Sequence, residues 1–300
     1  MENLFDQKLE DATGGKNGSN NGIDGIYAPK LKDAPQGVYS AKLRFLPNML
    51  DPSKVFNQVT FYKFSDAYGD NTVFVPSKKN WGEKCPITEL WFKLKKSPNP
   101  AEQALKEHVY FYSQYYSYVL IVDDKIHPEL NGKVMLFRYG NQIYRMIQDE
   151  VADNGGTISC IIHPTTGSDF MFKLQDVGGF NNYTSSKFVP SQTPVVIDGN
   201  TIEPTEAGLA IIKQAEEALG ITVDVENVPW SEDRAQRVAD NLATYNLGGS
   251  LKTVVTTARE NLATKTEADT AANETGGFNS ATLPESLEDE DGDLFSNLEL

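Results

Sequence analysis

The sequence predicts a mainly β chain with helical additions, of the α+β class. Three observations carry this. Between residues 38 and 190, short apolar segments recur, and the first alternates with period two. Gly, Pro, Asn and Asp punctuate them. From residue 204 the apolar spacing changes to that of a helix.

In chain order, residues 1–37 read as a flexible N-terminal arm. GGKNGSNNGIDG (14–25) has little to bury, and MENLFDQKLED before it is at most a marginal helix. VYSAKLRFLP (38–47) sets Val38, Ser40, Lys42 and Arg44 against Tyr39, Ala41, Leu43 and Phe45, basic on one face and apolar on the other. Further strands are expected at 55–64, 71–76, 115–122, 133–140, 157–164 and 170–180, with short helices at 101–108 and 142–151. Many short strands with few helices suggest a barrel or a sandwich.

PTEAGLAIIKQAEEALG (204–220) aligns Leu209, Ile212, Ala215 and Leu219 on one stripe and stops at Gly220. SEDRAQRVADNLATYNLG (231–248) starts at a Ser N-cap with acids in its first turn. Residues 250–263 form a third helix candidate, weakened by Thr and Val. The expected organisation is an arm (1–37), a β core (38–195), a helical extension packing on it (196–265) and an acidic tail (266–300). Residues 267–300 carry ten acids and no Lys or Arg, the composition of disorder.

The net charge of −15 argues against a polyanion partner until it is divided along the chain. Residues 38–190 carry 17 basic and 15 acidic side chains, whereas 191–300 carry 6 and 21. The core is therefore near neutral. No run approaches a membrane span, and the N-terminus lacks the pattern of a secretory signal, so Cys85 and Cys160 read as free thiols in a reducing compartment.

Catalytic signatures are missing: no Walker-type loop, no nucleophile elbow and no His pair at helical spacing. His108, His127 and His163 fall in separate segments. Nothing supports an enzyme. Cys85 has no Cys or His companion nearby in the sequence, so no metal and no cofactor is expected.

Aromatic and basic residues remain. Six of the eleven positions from His108 to Tyr118 are Tyr or Phe. Alternation turns either 110/112/116/118 or 111/115 inward. Arg138-Tyr139, Tyr144-Arg145, Phe180 and Tyr183 follow, and Lys42 and Arg44 share a face. Proteins that hold single-stranded nucleic acid combine cations with rings on which bases stack.

The run YYSYVLIVDDKIHPELNGKVMLFRYGNQI, followed by DFMFKLQDVGGFNNYTSSKF, resembles the single-stranded DNA-binding (helix-destabilising) proteins of T-even-type tailed phages. The shared features are Arg44-Phe45-Leu46-Pro47, the Tyr115-Tyr116 pair, His127-Pro128-Glu129, Asn131-Gly132-Lys133-Val134, Arg138-Tyr139-Gly140 and Gly178 to Tyr183. They cover roughly residues 38–190, and an acidic-hydrophobic C-terminus recurs in place.

The resemblance implies an oligonucleotide-binding (OB) barrel, sequence-independent binding of single-stranded DNA in replication, recombination and repair, and a site in the bacterial host cytoplasm. By position it nominates Arg44, Tyr115, Tyr116, Arg138, Phe180 and Tyr183. Their neighbourhood adds Lys42, Tyr112, Tyr139 and Tyr144. The acidic tail reads either as a solvated solubility tail or, by the Leu/Phe spacing of Asp293, Leu294, Phe295, Leu298 and Leu300, as a hook for replisome proteins such as a polymerase, helicase loader or recombination mediator. The chain departs from the family in three ways. The zinc ribbon's Cys pair is reduced to Cys85-Pro86-Ile87-Thr88, so the metal is expected to be lost and replaced by packing of Phe61, Phe64, Phe74 and Trp81. Tyr110, Phe111 and Tyr112 stand where relatives carry positive charge. The basic N-terminal motif for cooperative self-association is missing. An RNA-binding protein or a β-rich structural or virion protein is the alternative.

Overall fold

The computed structural model describes residues 23–34 and 37–245. The predicted helix at 250–263, the acidic tail and its five hook residues lie outside them. So do residues 1–22 of the arm. No helix among the described residues is long and apolar enough to cross a membrane.

The described chain is mostly β-sheet with helices attached. Its strands are β1 (Ile26–Tyr27), β2 (Val38–Phe45), β3 (Asn57–Ser65), β4 (Thr72–Pro76), β5 (Val109–Asp124), β6 (Val134–Tyr139), β7 (Ser168–Val177), β8 (Phe180–Asn182) and β9 (Lys187–Gln192). They form one sheet in the order β1-β6-β5-β2-β7-β8, with β3 on β5, β4 on β3 and β9 on β7. Val196–Ile197 and Asn200–Thr201 make a separate hairpin.

Strand β5 organises the rest. It pairs with β3 over 109–116, β6 over 115–120 and β2 over 119–124. The sequence places its start at 115; the ladder with β3 carries it back to Val109. Its odd residues Tyr115, Val119 and Ile121 enter the first core with Phe45, Phe137, Phe170 and Phe172. Its even residues Tyr116, Tyr118 and Leu120 enter another core with Val59, Leu136 and Ile212. Val109 belongs to a further one. Both alternation sets are thus buried over part of the strand.

The helices are α1 (Pro86–Lys96), α2 (Pro100–Ala104), α3 (Asn141–Asp153), α4 (Ser159–Ile162), α5 (Glu206–Ala218) and α6 (Glu232–Thr244). Helix α1 is not among the expected elements, although Pro86 starts it and Ile87, Leu90 and Leu94 bury one face. That face meets Tyr62, Phe64, Val73 and Val75, and α6 closes the cluster with Val238 and Leu242. Cys85 is buried there too. Of the four side chains expected to replace the zinc, only Phe64 is in this core; Phe61 faces the opposite side. The apolar surroundings of Cys85 do not fit a zinc ribbon. Among the described residues no group of three or more His, Cys, Asp or Glu is placed to hold a metal ion.

Two expectations are corrected. Residues 157–164 are not a strand: Ser159–Ile162 is one helical turn between Gly155-Gly156 and Pro164, with Ile161 buried and Ile158 outside. Here tertiary placement overrides β-branched propensity. Residues 26–34 do not behave as arm. Ile26 and Tyr27 add a parallel strand to β6, and the Tyr27 hydroxyl donates to Asp124 at 2.7 Å. Tyr39 donates to the same carboxylate at 2.5 Å.

Helix α5 brings in Glu216, which is fully buried and accepts the backbone N–H groups of Met49 and Leu50. Burial outweighs those bonds and raises its pKa to about 7. In an unfolded chain a Glu titrates near about 4.3. Between those values the folded state holds the extra proton, so stability is greatest below the lower one and falls as pH rises through about 7. Urea midpoints of wild type should decline from pH 5 to pH 8, and Glu216→Gln should flatten that decline.

Candidate nucleic-acid interface

On β3 and β5 one continuous face carries Phe61 and Lys63 opposite Tyr112 and Tyr110. Phe61 and Tyr112 stack at 5.7 Å and 19°, and Tyr110 continues the ladder from Tyr112 at 6.2 Å and 22°. Lys63, Tyr110 and Tyr112 are half-buried, so the ladder reaches the surface. Four residues along β5 from Tyr112, past Gln114, Tyr116 lies opposite Arg138 of β6.

Arg138 is the hub of this region. Its Nη1 contacts both carboxylate oxygens of Glu226 at 3.0 Å. The Tyr116 hydroxyl donates to the same carboxylate. Burial works against the Arg138 charge, but Glu226 more than compensates and raises its pKa. Tyr112 is pushed up to about 12 by burial and by Glu226, with Arg138 opposing. Burial raises Tyr183, which Asn181 and Arg138 oppose. Burial lowers Lys30, and the Lys32 and Arg138 charges add to this. Tyr112, Tyr183 and Lys30 therefore all sense the Arg138 cation.

Phe180 and Tyr183 are placed by a tight hairpin. Val177 pairs with Phe180 across Gly178 and Gly179, whose φ values of 66° and 88° suit glycine. Both aromatics are half-buried, and Tyr183 leans on Phe172 at 5.8 Å.

The other nominated residues lie elsewhere. Tyr115 points to the opposite face from Tyr116 and is 4 % exposed. Tyr144 of α3 stacks on it at 3.9 Å and 11°, and Tyr139 packs behind it at 5.7 Å. A base arriving there meets Tyr144, not Tyr115. Tyr139 is buried and shares a hydrogen bond with Ser117 at 2.9 Å. Lys42 pairs with Asp123, at the far end of β5 from Tyr112. Four nominated residues, Tyr112, Arg138, Phe180 and Tyr183, are half-buried, and of these Tyr112 and Tyr183 feel the Arg138 charge.

Arg44 is a correction. It is 1 % exposed, ion-paired with Asp169 at 3.5 Å, and donates to the carbonyls of Gly167 and Thr193. Glycine is needed at 167 because a Cβ there would lie 2.5 Å from the Ile161 carbonyl oxygen, where the loop packs on the backbone of the α4 turn. Arg44 fastens two loops and offers nothing to a ligand. Lys63 and Glu226 join the candidate site only in the structure, and Tyr110, readable from the sequence as either a stacking platform or packing, joins it as a rung of the ladder. Tyr110 lies within the aromatic run, and Lys63 becomes visible only through the β3–β5 register. Glu226 had no local signal.

Stacked rings that run from a buried Phe61 to half-buried Tyr112 and Tyr110, beside cations, are the kind of arrangement from which nucleic-acid-binding surfaces are built. Residues 38–219 match the family described as gp32 DNA binding protein like. The chain belongs to this family. It is similar to the single-stranded DNA-binding protein of Enterobacteria phage T2, 28 % identical over 198 residues, covering 63 % of this chain and 63 % of that protein. The single-stranded DNA-binding protein of Enterobacteria phage T4 is 27 % identical over 194 residues, covering 63 % and 62 %. The chain thus aligns with less than two thirds of the length of these relatives.

Arg44→Met should cost about 3–5 kcal/mol in urea unfolding, because it strands Asp169 in the interior. Adding Asp169→Leu should recover part of the loss.

Proposed function

We propose that the chain binds single-stranded DNA without sequence preference, in replication, recombination and repair of a phage genome within the host cytoplasm. One observation carries this: the Phe61–Tyr112–Tyr110 ladder lies between Lys63 and Arg138 on one sheet face. Rings at this spacing offer bases a stacking surface, and the flanking cations meet the phosphates. Duplex is refused because paired bases hide their faces, so binding is coupled to melting. The relatives' names support the same reading.

In this reading the sheet is an OB barrel, with residues 38–195 as its core and 196–265 as a helical extension. Lys30, Lys63, Tyr110, Tyr112, Arg138, Phe180 and Tyr183 form the DNA face, with Tyr144 at its margin. The protein acts by stoichiometric binding. Asp293, Leu294, Phe295, Leu298 and Leu300 recruit replication proteins, and the acidic tail competes with DNA at low salt. Deleting residues 267–300 should tighten binding at low salt and abolish partner pull-down.

Quenching of intrinsic fluorescence by oligo-dT, compared with a hairpin duplex at two salt concentrations, tests the reading. Strong preference for oligo-dT is expected; equal affinity for duplex sinks it. An RNA oligomer in the same titration tests the choice of DNA. Tyr112→Ala and Tyr110→Ala should each weaken oligo-dT binding by about 1–3 kcal/mol while leaving the circular dichroism spectrum unchanged.

A further inference from the structure

Residues 219–231 connect α5 to α6 without regular strand or helix and pass over the sheet beside Tyr116. Their backbone is fastened on both sides of Glu226. Val223 is buried, and its carbonyl accepts Asn57 Nδ2 at 2.8 Å. Asp224 pairs with Lys54 at 2.5 Å. Asn227 accepts Asn80 Nδ2 at 3.1 Å and, through its carbonyl, Trp81 Nε1 at 3.2 Å. Trp230 Nε1 donates to the Pro76 carbonyl at 2.7 Å. This connection is not a loose lid.

The Glu226 side chain alone reaches into the candidate interface. Its two oxygens take donors from the Arg138 guanidinium and the Tyr116 phenol. A guanidinium and a hydroxyl are what proteins present to a phosphodiester oxygen. The side chains of Arg138 and Glu226 are 17 % and 12 % exposed, so this pair sits at the rim, whereas Tyr116 beneath it is fully buried and its hydroxyl, also 3.0 Å from Gln114 Oε1, becomes reachable only when Glu226 withdraws. Tyr112, the nearest ring of the ladder, feels both charges.

We propose that Arg138 and Tyr116 form a phosphate subsite that Glu226 fills in the free protein, and that single-stranded DNA enters by exchanging a backbone phosphate for the Glu226 carboxylate. The inference rests on the single-stranded DNA reading and names the regulation of that site. The exchange moves one side chain and leaves the fastened backbone in place. It makes binding self-limiting: Arg138 gains a phosphate only by releasing a carboxylate. A neighbouring base then lies on Tyr112.

Glu226→Gln keeps the shape and one acceptor oxygen but removes the competing charge. It should bind oligo-dT roughly tenfold more tightly at low salt, the scale of one charge-assisted contact. The slope of log K against log salt should steepen by about 0.7, one more phosphate neutralised without a compensating anion. In an Arg138→Gln background the gain should vanish. Glu217→Gln removes an equal charge from an exposed pair with Lys213 on α5 and should change nothing. Should Glu226→Gln fail to fold, Glu226→Asp, which keeps the charge but shortens its reach, should give a smaller gain. Oligo-dT binding by wild type with no gain in the Glu226 variant, or with an equal gain in Glu217→Gln, overturns the exchange. Absence of oligo-dT binding by every protein overturns the DNA reading, and the exchange with it.

Discussion

The sheet of the described chain is arranged around one strand. Residues Val109–Asp124 span about 50 Å if extended and pair with three other strands in succession. A strand shows its side chains to two faces alternately, and here both faces are covered over residues 115–121. Tyr115, Val119 and Ile121 are enclosed on one side, Tyr116, Tyr118 and Leu120 on the other. The aromatic run therefore cannot be one platform. Where the cover stops, at Tyr110 and Tyr112, the rings reach water. Tyrosine suits this passage from interior to rim, because a buried ring can still deliver its hydroxyl. Tyr118 reaches the Ile221 carbonyl, Tyr139 reaches Ser117 and Tyr116 reaches Glu226.

The parts legible in the sequence are those fixed by local pattern. Alternation in 38–45 identified a strand and its buried row, because a half-covered sheet imposes period two. The stripe containing Ile212 with its stop at Gly220, and the cap at Ser231, located α5 and α6. Helix α1 had the same kind of signal in Pro86, Ile87, Leu90 and Leu94. What failed depended on distant segments. Arg44 looks like a partner of Lys42 by alternation, yet its neutralisation comes from Asp169 and from the Gly167 and Thr193 carbonyls, more than a hundred residues away. Ile26–Tyr27 is too short for any periodicity, and only the free edge of β6 makes it a strand.

The candidate site was legible in kind but only partly in membership. A cluster of Tyr with Arg and Lys announces a surface where rings and cations meet. It does not say which rings are spent on the interior. Tyr115 and Tyr116 are adjacent, and adjacency in a strand sends them to opposite faces. One is capped by Tyr144 and the other by Glu226. Register supplied the members that the pattern omitted: Lys63 enters because it faces Tyr110 across the β3–β5 ladder.

Charge takes on a different meaning once its placement is known. The core carries nearly equal numbers of acids and bases, so most of its cations can be neutralised in place. Two ion pairs among the described residues use arginine and differ in depth: Asp169 comes from the core itself, whereas Glu226 comes from the acidic C-terminal part. Arg44 and Asp169 are 1 % and 4 % exposed, whereas Arg138 and Glu226 are 17 % and 12 % exposed. In the deep pair, removing either partner leaves a charge in a low-dielectric interior, so the pair is permanent. At the rim, water can solvate a released carboxylate, and an incoming anion can take its place without crossing the core. The same chemical pairing thus serves as a rivet in one position and as an exchangeable contact in the other. Burial, not residue type, separates the arginine that holds the fold from the one positioned to meet a ligand.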